Sequence, residues 1–204
     1  MRRFAGKTLL VATHNAGKLE EFQQIMTPLG ITVTSAREHD LPEPEETESS
    51  FIGNARIKAH AAAQATGLPA LADDSGLEVA ALDGAPGVYT ADWAETPQGR
   101  DFLMAMEKTH AMLLAAKAPE PWTARFCCTL VLAWPDGHDE VFTGHATGQL
   151  VWPRRGADGH GYDPMFQPDG HNRTFAEMTA AQKNALSHRG AAIAALMTGC
   201  FTPA

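Results

Sequence analysis

Cysteine is scarce in this chain: Cys127, Cys128 and Cys200 are the only three in 204 residues. They do not have the spacing of a disulfide framework, and that usage suits a reducing cytoplasm. Cys127 and Cys128 are neighbours on a strand-like segment, so they face opposite sides and do not make a metal pair. Positive charge is also short. Sixteen Lys and Arg against 24 Asp and Glu leave a formal net charge of −8, which argues against a nucleic-acid-binding surface. No apolar run is long enough to span a bilayer, and the N-terminus has no signal-like apolar region, so no membrane partner is expected. Internal repeats and low-complexity tracts are absent too. Ala115 to Pro121 is a connector too short to argue for a domain break. Residues 1–204 therefore read as a single domain, compact or in two lobes, with chain enough for a real core.

What the chain does have begins with Ala72-Asp73-Asp74-Ser75-Gly76, placed after the apolar run Leu68-Pro69-Ala70-Leu71. Two adjacent carboxylates near buried apolar residues are costly to ionise without a cation. A hard divalent ion with oxygen ligands resolves that cost, and Mg²⁺ is the usual one. Asp-Ser-Gly is also good turn chemistry. On this motif alone both readings stay open.

Near the N-terminus, Thr8–Ala12 is a strand candidate that runs into Thr13-His14-Asn15-Ala16-Gly17-Lys18. A helical pattern follows, with Leu19, Phe22, Ile25, Met26 and Leu29 on one face. Strand, short polar loop and helix can cradle phosphate, with N–H groups at the helix start and the charge of Lys18. It is not a Walker A loop, because Leu19 follows Lys18 and Ala12 stands where the first Gly would be. An ordinary strand-to-helix turn with a solvated lysine is the alternative.

An acidic stretch, Glu43, Glu45, Glu46 and Glu48, is punctuated by Pro42 and Pro44. Ser49 or Ser50 can cap a helix that begins at Phe51 and reaches Gly67, a C-cap candidate. Phe51, Ala55 and Ala59 form one stripe, and Lys58 lies beside it at i+4 from Asn54. Lys58 either reaches into a cleft or remains a solvent lysine.

The C-terminal third adds Gly159-His160-Gly161-Tyr162-Asp163-Pro164-Met165-Phe166. Glycines flanking His160 suit a loop whose backbone approaches a flat ligand, and a nucleobase needs a stacking face with polar groups at its edge. A helix through Lys183 follows, then Ser187-His188-Arg189-Gly190 opens a last apolar helix. Cations at a helix start work against its dipole, a local misfit that hints at a ligand.

The coarse order is strand, helix, strand, helix, then two strand-like runs around the acidic motif. A helix is expected from about Pro97 to Ala116. Arg125–Ala133 and Val141–Val151 read as a hairpin across Pro135-Asp136-Gly137, and two helical segments close the chain. The class is mixed α/β.

Six segments in this order resemble the inosine/xanthosine triphosphate pyrophosphatases, from Leu9 to about Met197. They are Thr13–Lys18, Phe51–Ala55 with Lys58-Ala59, Ala72–Leu77, Gly84–Tyr89, Gly161–Phe166 and Ser187–Gly190. The resemblance implies a central mixed sheet with helices, two lobes around a substrate cleft, a homodimer and a cytoplasmic enzyme. That enzyme would use Mg²⁺ to cut free purine nucleoside triphosphates such as ITP, dITP and XTP to monophosphate and pyrophosphate. By matching position, Asp74 is proton acceptor and metal ligand, Glu46 is the second metal ligand, and Asp73 and Lys58 complete the catalytic set. Thr13, His14, Asn15, Ala16, Gly17 and Lys18 match the phosphate loop. Lys58, Ser75 and Lys183 match substrate contacts. His160, Gly161, Tyr162 and Asp163, with His188 and Arg189, match the base-recognition segments. Donors at His188 and Arg189 would favour a 6-oxo over a 6-amino purine.

Two positions depart from the family pattern. His160 stands where an aromatic Phe is usual. Thr90-Ala91-Asp92 stands where Ser-Ala-Arg is common, so any contact made by that Arg has no matching residue here. The alternatives are a related pyrophosphatase for pyrimidine or methylated nucleotides, or a nucleotide-binding module without catalysis. The base loop and the set of Glu46, Asp73, Asp74 and Lys58 argue against them.

Overall fold

A computed structural model describes residues 1–201. Among these residues nine strands and five α-helices mix along the chain, as expected for a mixed α/β protein. The strands are β1 (Thr8–Val11), β2 (Thr32–Ser35), β3 (Ala70–Val79), β4 (Pro86–Gly87), β5 (Glu95–Thr96), β6 (Gly99–Arg100), β7 (Trp122–Ala133), β8 (Asp139–Leu150) and β9 (Phe166–Pro168). The helices are α1 (Ala16–Met26), α2 (Phe51–Thr66), α3 (Phe102–Ala115), α4 (Ala180–Leu186) and α5 (His188–Leu196). A seven-stranded sheet has the order β2-β1-β3-β7-β8-β9, with β4 on β3, and β5 pairs with β6 separately.

The chain divides into two compact units. The first holds Met1–Asp74, Thr129–Thr143 and the C-terminal residues from Ala192; the second holds Ser75–Cys128 and Gly144–Ala191. In the first unit β1 lies between β2 and β3, parallel to both. Helix α2 covers its sheet with Ala55, Ala59, Ala62 and Ala63, packed with Leu10, Ala70, Ala72, Val131 and Ala133. Side chains this small let a helix lie close to a sheet. In the second unit the core is large and aromatic, with Trp122, Phe126, Tyr162, Phe166 and Phe175 among its members. There β4 and β9 run antiparallel to β3 and β8.

Several boundaries differ from the sequence reading, each for a local reason. α1 stops at Met26, and Thr27–Leu29 forms a 3₁₀ turn with Pro28 inside it, because a proline ring clashes with the turn before it. Leu29 is accordingly exposed rather than on the buried face. α3 starts at Phe102, not near Pro97. The Asp101 side chain caps it by accepting from the Met104 N–H at 3.1 Å, and Gly99-Arg100 pairs with Glu95-Thr96. The capping expectations hold for α2: Ser50 Oγ accepts from the Gly53 N–H at 3.1 Å, and Gly67 closes the helix at φ 68°. Between β7 and β8 the Trp134 N–H donates to the His138 carbonyl across the expected turn.

Candidate functional site

The acidic motif is not a turn. Ala72-Asp73-Asp74-Ser75-Gly76 lies inside the unbroken strand β3, so the two runs expected around it are one. Consecutive strand residues point to opposite faces, and this separates the two carboxylates that sequence alone places side by side. Ala70 and Ala72 face α2, and Asp74 continues that face. Asp73 takes the other, where Lys18 Nζ donates to its Oδ2 at 2.7 Å. Both aspartates are 8% exposed. Lys18 thus offsets the cost of burying the Asp73 charge.

On the α2 face, Lys58 Nζ donates to Glu46 Oε1 at 2.6 Å and stands 3.9 Å from Asp74 Oδ1. The Lys58 side chain is only 12% exposed, which rules out the solvent-lysine alternative. Its reach follows from the alanine stripe, which holds α2 close over β3. A small, largely apolar cavity of about 150 Å³ lies alongside, lined by Ala12, Ala36, Leu41 and Pro44 together with His14 and Lys58. Those walls suit the lysine stem and not a phosphate.

Two carboxylates from separate segments, joined through one ammonium, form an all-oxygen donor pair of the kind a hard divalent ion takes. Glu46 and Asp74 fit such an ion in chemistry. Among the described residues, no group of three or more His, Cys, Asp or Glu side chains stands at metal-holding spacing. The repulsion expected among Asp73, Asp74 and Glu46 is instead relieved by Lys18 and Lys58.

The N-terminal loop is well ordered by its own side chains. Thr13 is buried, and its Oγ1 accepts from the Asn15 N–H at 3.1 Å. Asn15 Oδ1 accepts from the N–H groups of Gly17 and Lys18 at 2.9 and 3.2 Å. The cap therefore occupies part of the anion-binding capacity read from the sequence. His14, Asn15, Ala16 and Gly17 are exposed, and Lys18 is half-buried.

The remaining predicted residues lie in the second unit. Gly159 and Gly161 flank His160 with φ of 83° and 64°. A Cβ on Gly159 would collide with the Asp163 carboxylate, so this loop folds as it does only with glycine there. His160 is exposed, while its backbone N–H donates to Asp163 Oδ2 at 2.7 Å. Lys183 Nζ on α4 donates to the same oxygen. Asp163, 2% exposed, thus ties the loop to α4. Tyr162 is a packing residue at 1% exposure, with its ring edge-on to Phe102 at 6.0 Å and its hydroxyl among Thr109 and Ala105 of α3. Burial pushes its phenol above the usual range. Ser187 caps α5, its Oγ accepting from the Gly190 N–H at 3.0 Å. This places half-buried His188 and Arg189 in the first turn, and Ser75 is half-buried on β3.

Sequence reasoning missed the aromatic support of this group. Phe126 on β7 stacks on the His188 ring, with centroids 4.9 Å apart and planes 13° apart. The signal that could have found it was the alternation of apolar and polar residues in Trp122-Thr123-Ala124-Arg125-Phe126. Cys127 beside it is buried, and burial with the neighbouring Glu78 pushes its thiol up to about 12, so it is inert as a nucleophile.

Comparison with known proteins matches this architecture to one group. A HAM1 protein from Coxiella burnetii superposes with a TM-score of 0.89 at 38% identity, covering 95% of this chain and 98% of that one. The Staphylococcus aureus Ham1 protein gives 0.85 at 34% identity, covering 94% and 97%. In sequence, a Ruegeria pomeroyi protein named dITP/XTP pyrophosphatase is 66% identical over 200 residues, 98% of each chain. A Rhodospirillum centenum protein of the same name is 56% identical over 200 residues, again 98% of each. The Ham1 family model matches residues 9–199. The chain belongs to the Ham1 family. Among its described residues no helix is long and apolar enough to cross a membrane.

Proposed function

We propose that this chain hydrolyses non-standard purine nucleoside triphosphates, those of inosine, deoxyinosine and xanthosine, to monophosphate and pyrophosphate. The observation that carries the reading is the lysine-bridged carboxylate pair: Lys58 Nζ at 2.6 Å from Glu46 and 3.9 Å from Asp74. It stands in a chain 66% identical to a protein named dITP/XTP pyrophosphatase. Cleavage between the α and β phosphates needs a water deprotonated and aimed at phosphorus, and charge on the phosphate oxygens neutralised. Asp74 accepts the proton. Lys58 and Lys18 bring ammonium charge to the phosphates, with Thr13–Gly17 shaping the loop beneath and Ser75 and Asp73 completing the set. Glu46 and Asp74 would hold Mg²⁺, which when bound neutralises phosphate charge and acidifies water.

The residues of the second unit suit the base. His188, Arg189 and Lys183 are donors for a 6-oxo edge, and His160 supplies a small stacking face at the loop tip. Asp163 holds Lys183 and the loop, and Tyr162 anchors that loop to α3. The active form is proposed to be a homodimer acting on free nucleotides in the cytoplasm.

The test is phosphate release from each triphosphate with inorganic pyrophosphatase added and ATP as control. Release from the 6-oxo purines well above that from ATP is expected. Turnover confined to pyrimidine or methylated nucleotides, or none at all, would overturn the proposal.

A further inference from the structure

The three buried phenylalanines of the second unit form one cluster. Phe126 meets Phe166 at 4.7 Å and 59°, and Phe175 at 6.0 Å and 17°. Phe166 meets Phe175 at 5.0 Å and 42°. Phe166 and Phe175 are fully buried and Phe126 is 7% exposed. A ring hemmed in this way keeps one rotamer. The free face of Phe126 carries the His188 imidazole in a near-parallel stack at 4.9 Å and 13°. The N–H bonds of an imidazole lie in its ring plane, so the plane of Phe126 sets the plane in which His188 can donate. The same cluster carries a second donor, because Lys183 Nζ stands 5.7 Å from the Phe175 centroid while bonded to Asp163.

We propose that Phe126 is a specificity-determining positioning residue, fixing the imidazole plane of His188 so that its N–H meets a 6-oxo and rejects a 6-amino purine. The inference rests on the reading that His188 recognises the base edge. A 6-oxo purine offers an acceptor where adenine offers a donor. While that ring nitrogen carries its hydrogen, a donor held in one direction is left facing another donor when adenine enters, and a buried mismatch of that kind is what discriminates strongly. A donor free to swing relaxes and discriminates less.

The test compares Phe126→Leu, which keeps apolar bulk and removes the flat face, with Phe126→Tyr, which keeps the face. Removing an aromatic pair changes affinity by about two- to tenfold. Phe126→Leu is therefore expected to raise KM for inosine triphosphate by about that factor. It should cut the preference over ATP in kcat/KM similarly and leave kcat within about twofold. Phe126→Tyr should retain the preference. Proton NMR of the wild-type protein should show the His188 ring protons shifted upfield by the Phe126 ring current, and Phe126→Leu should abolish that shift. An unchanged preference in Phe126→Leu, or an equal loss in the Tyr variant, overturns the proposal. Unshifted ring protons in the wild-type spectrum do so even if the Leu variant fails to fold. His188→Ala separates the two levels. If it loses the preference while Phe126→Leu keeps it, the positioning role fails and the base reading stands; if it has no effect, the base reading itself fails.

Discussion

The two units are built from opposite materials. In the first, α2 presents alanines to the sheet, Ala55, Ala59, Ala62 and Ala63, against Ala70 and Ala72. That thin layer lets Lys58 meet Glu46 and Asp74, while Lys18 meets Asp73 on the other face of β3. In the second, the core is built from Trp122, Phe126, Phe166 and Phe175. There the polar groups are few and are mounted on rings, as His188 on Phe126 and Lys183 over Phe175. Charge chemistry needs ions held close in a low-dielectric setting. Recognition of a flat base needs donors whose planes are fixed, and stacking on buried rings fixes planes.

That contrast breaks most sharply at the metal. If the first unit's carboxylate pair is where a divalent ion serves the phosphates, excess chelator should abolish turnover and Mg²⁺ should restore it. Full activity in chelator would show that Lys18 and Lys58 suffice, and that this pair is an ion-pair network only. A perturbation of the second unit such as Phe126→Leu should leave the Mg²⁺ requirement unchanged.

Next in size is Asp74. Asp74→Asn keeps the shape and removes the proposed proton acceptor, so turnover should fall by about a hundredfold or more, typical of losing a general base. Stability should change little beside that, since Lys58 keeps Glu46. Initial-rate kinetics at saturating inosine triphosphate decide it; a variant within a few-fold of wild type removes Asp74 from the mechanism. Because Asp73 lies on the opposite face with Lys18, Asp73→Asn should show in KM more than in kcat.

His160 sharpens the other half of the comparison. It is the exposed ring of the loop proposed to meet the base, and its backbone, not its side chain, is fixed by Asp163. His160→Phe enlarges the stacking face without disturbing that bond. KM for inosine triphosphate should fall by about two- to tenfold, with kcat unchanged. Equal KM values for the two proteins would mean that the side chain points away from the base.

How much of this was legible follows from the same contrast. The first unit's residues announce themselves because each lies in a short, chemically odd segment: Asp73-Asp74 after an apolar run, Lys18 after Asn15 and Gly17, Lys58 one step off an alanine stripe. The alternating faces of β3 were not legible, because turn chemistry and strand continuation compete at Asp-Ser-Gly and only the pairing of β3 with its neighbours decides. The second unit's mounting was hidden for a different reason. Phe126 lies far in sequence from Phe166, Phe175 and His188, and nothing in its own segment singles it out. Tyr162 misled by its neighbours: it sits in the segment matched to base recognition, but its ring belongs to the core.

The smallest expected effect tests what keeps α2 in place. Arg56 on α2 grips Asp139 at the start of β8 through two bonds of 2.9 and 3.1 Å, and His60 Nε2 lies 2.9 Å from the same carboxylate. Burial alone would raise the Asp139 pKa, but Arg56 and His60 outweigh it and the carboxyl is held below its ordinary value. A carboxylate whose pKa is lower folded than unfolded stabilises the protein fully above the unfolded value. That contribution is lost as pH falls through the folded one. Asp139→Asn should therefore lower Tm by about 2–4 °C at neutral pH, the shift of about 1 kcal/mol in a chain this long. Urea unfolding of both proteins from pH 7 down to pH 3.5 should show the gap constant at first and closing below about pH 4. A gap independent of pH would mean that Asp139 acts by shape and not by charge. Since the clamp grips α2 from outside the carboxylate pair, kcat at neutral pH should stay within about twofold. A larger loss would show that the catalytic position of Lys58 depends on the clamp as well as on the alanine stripe.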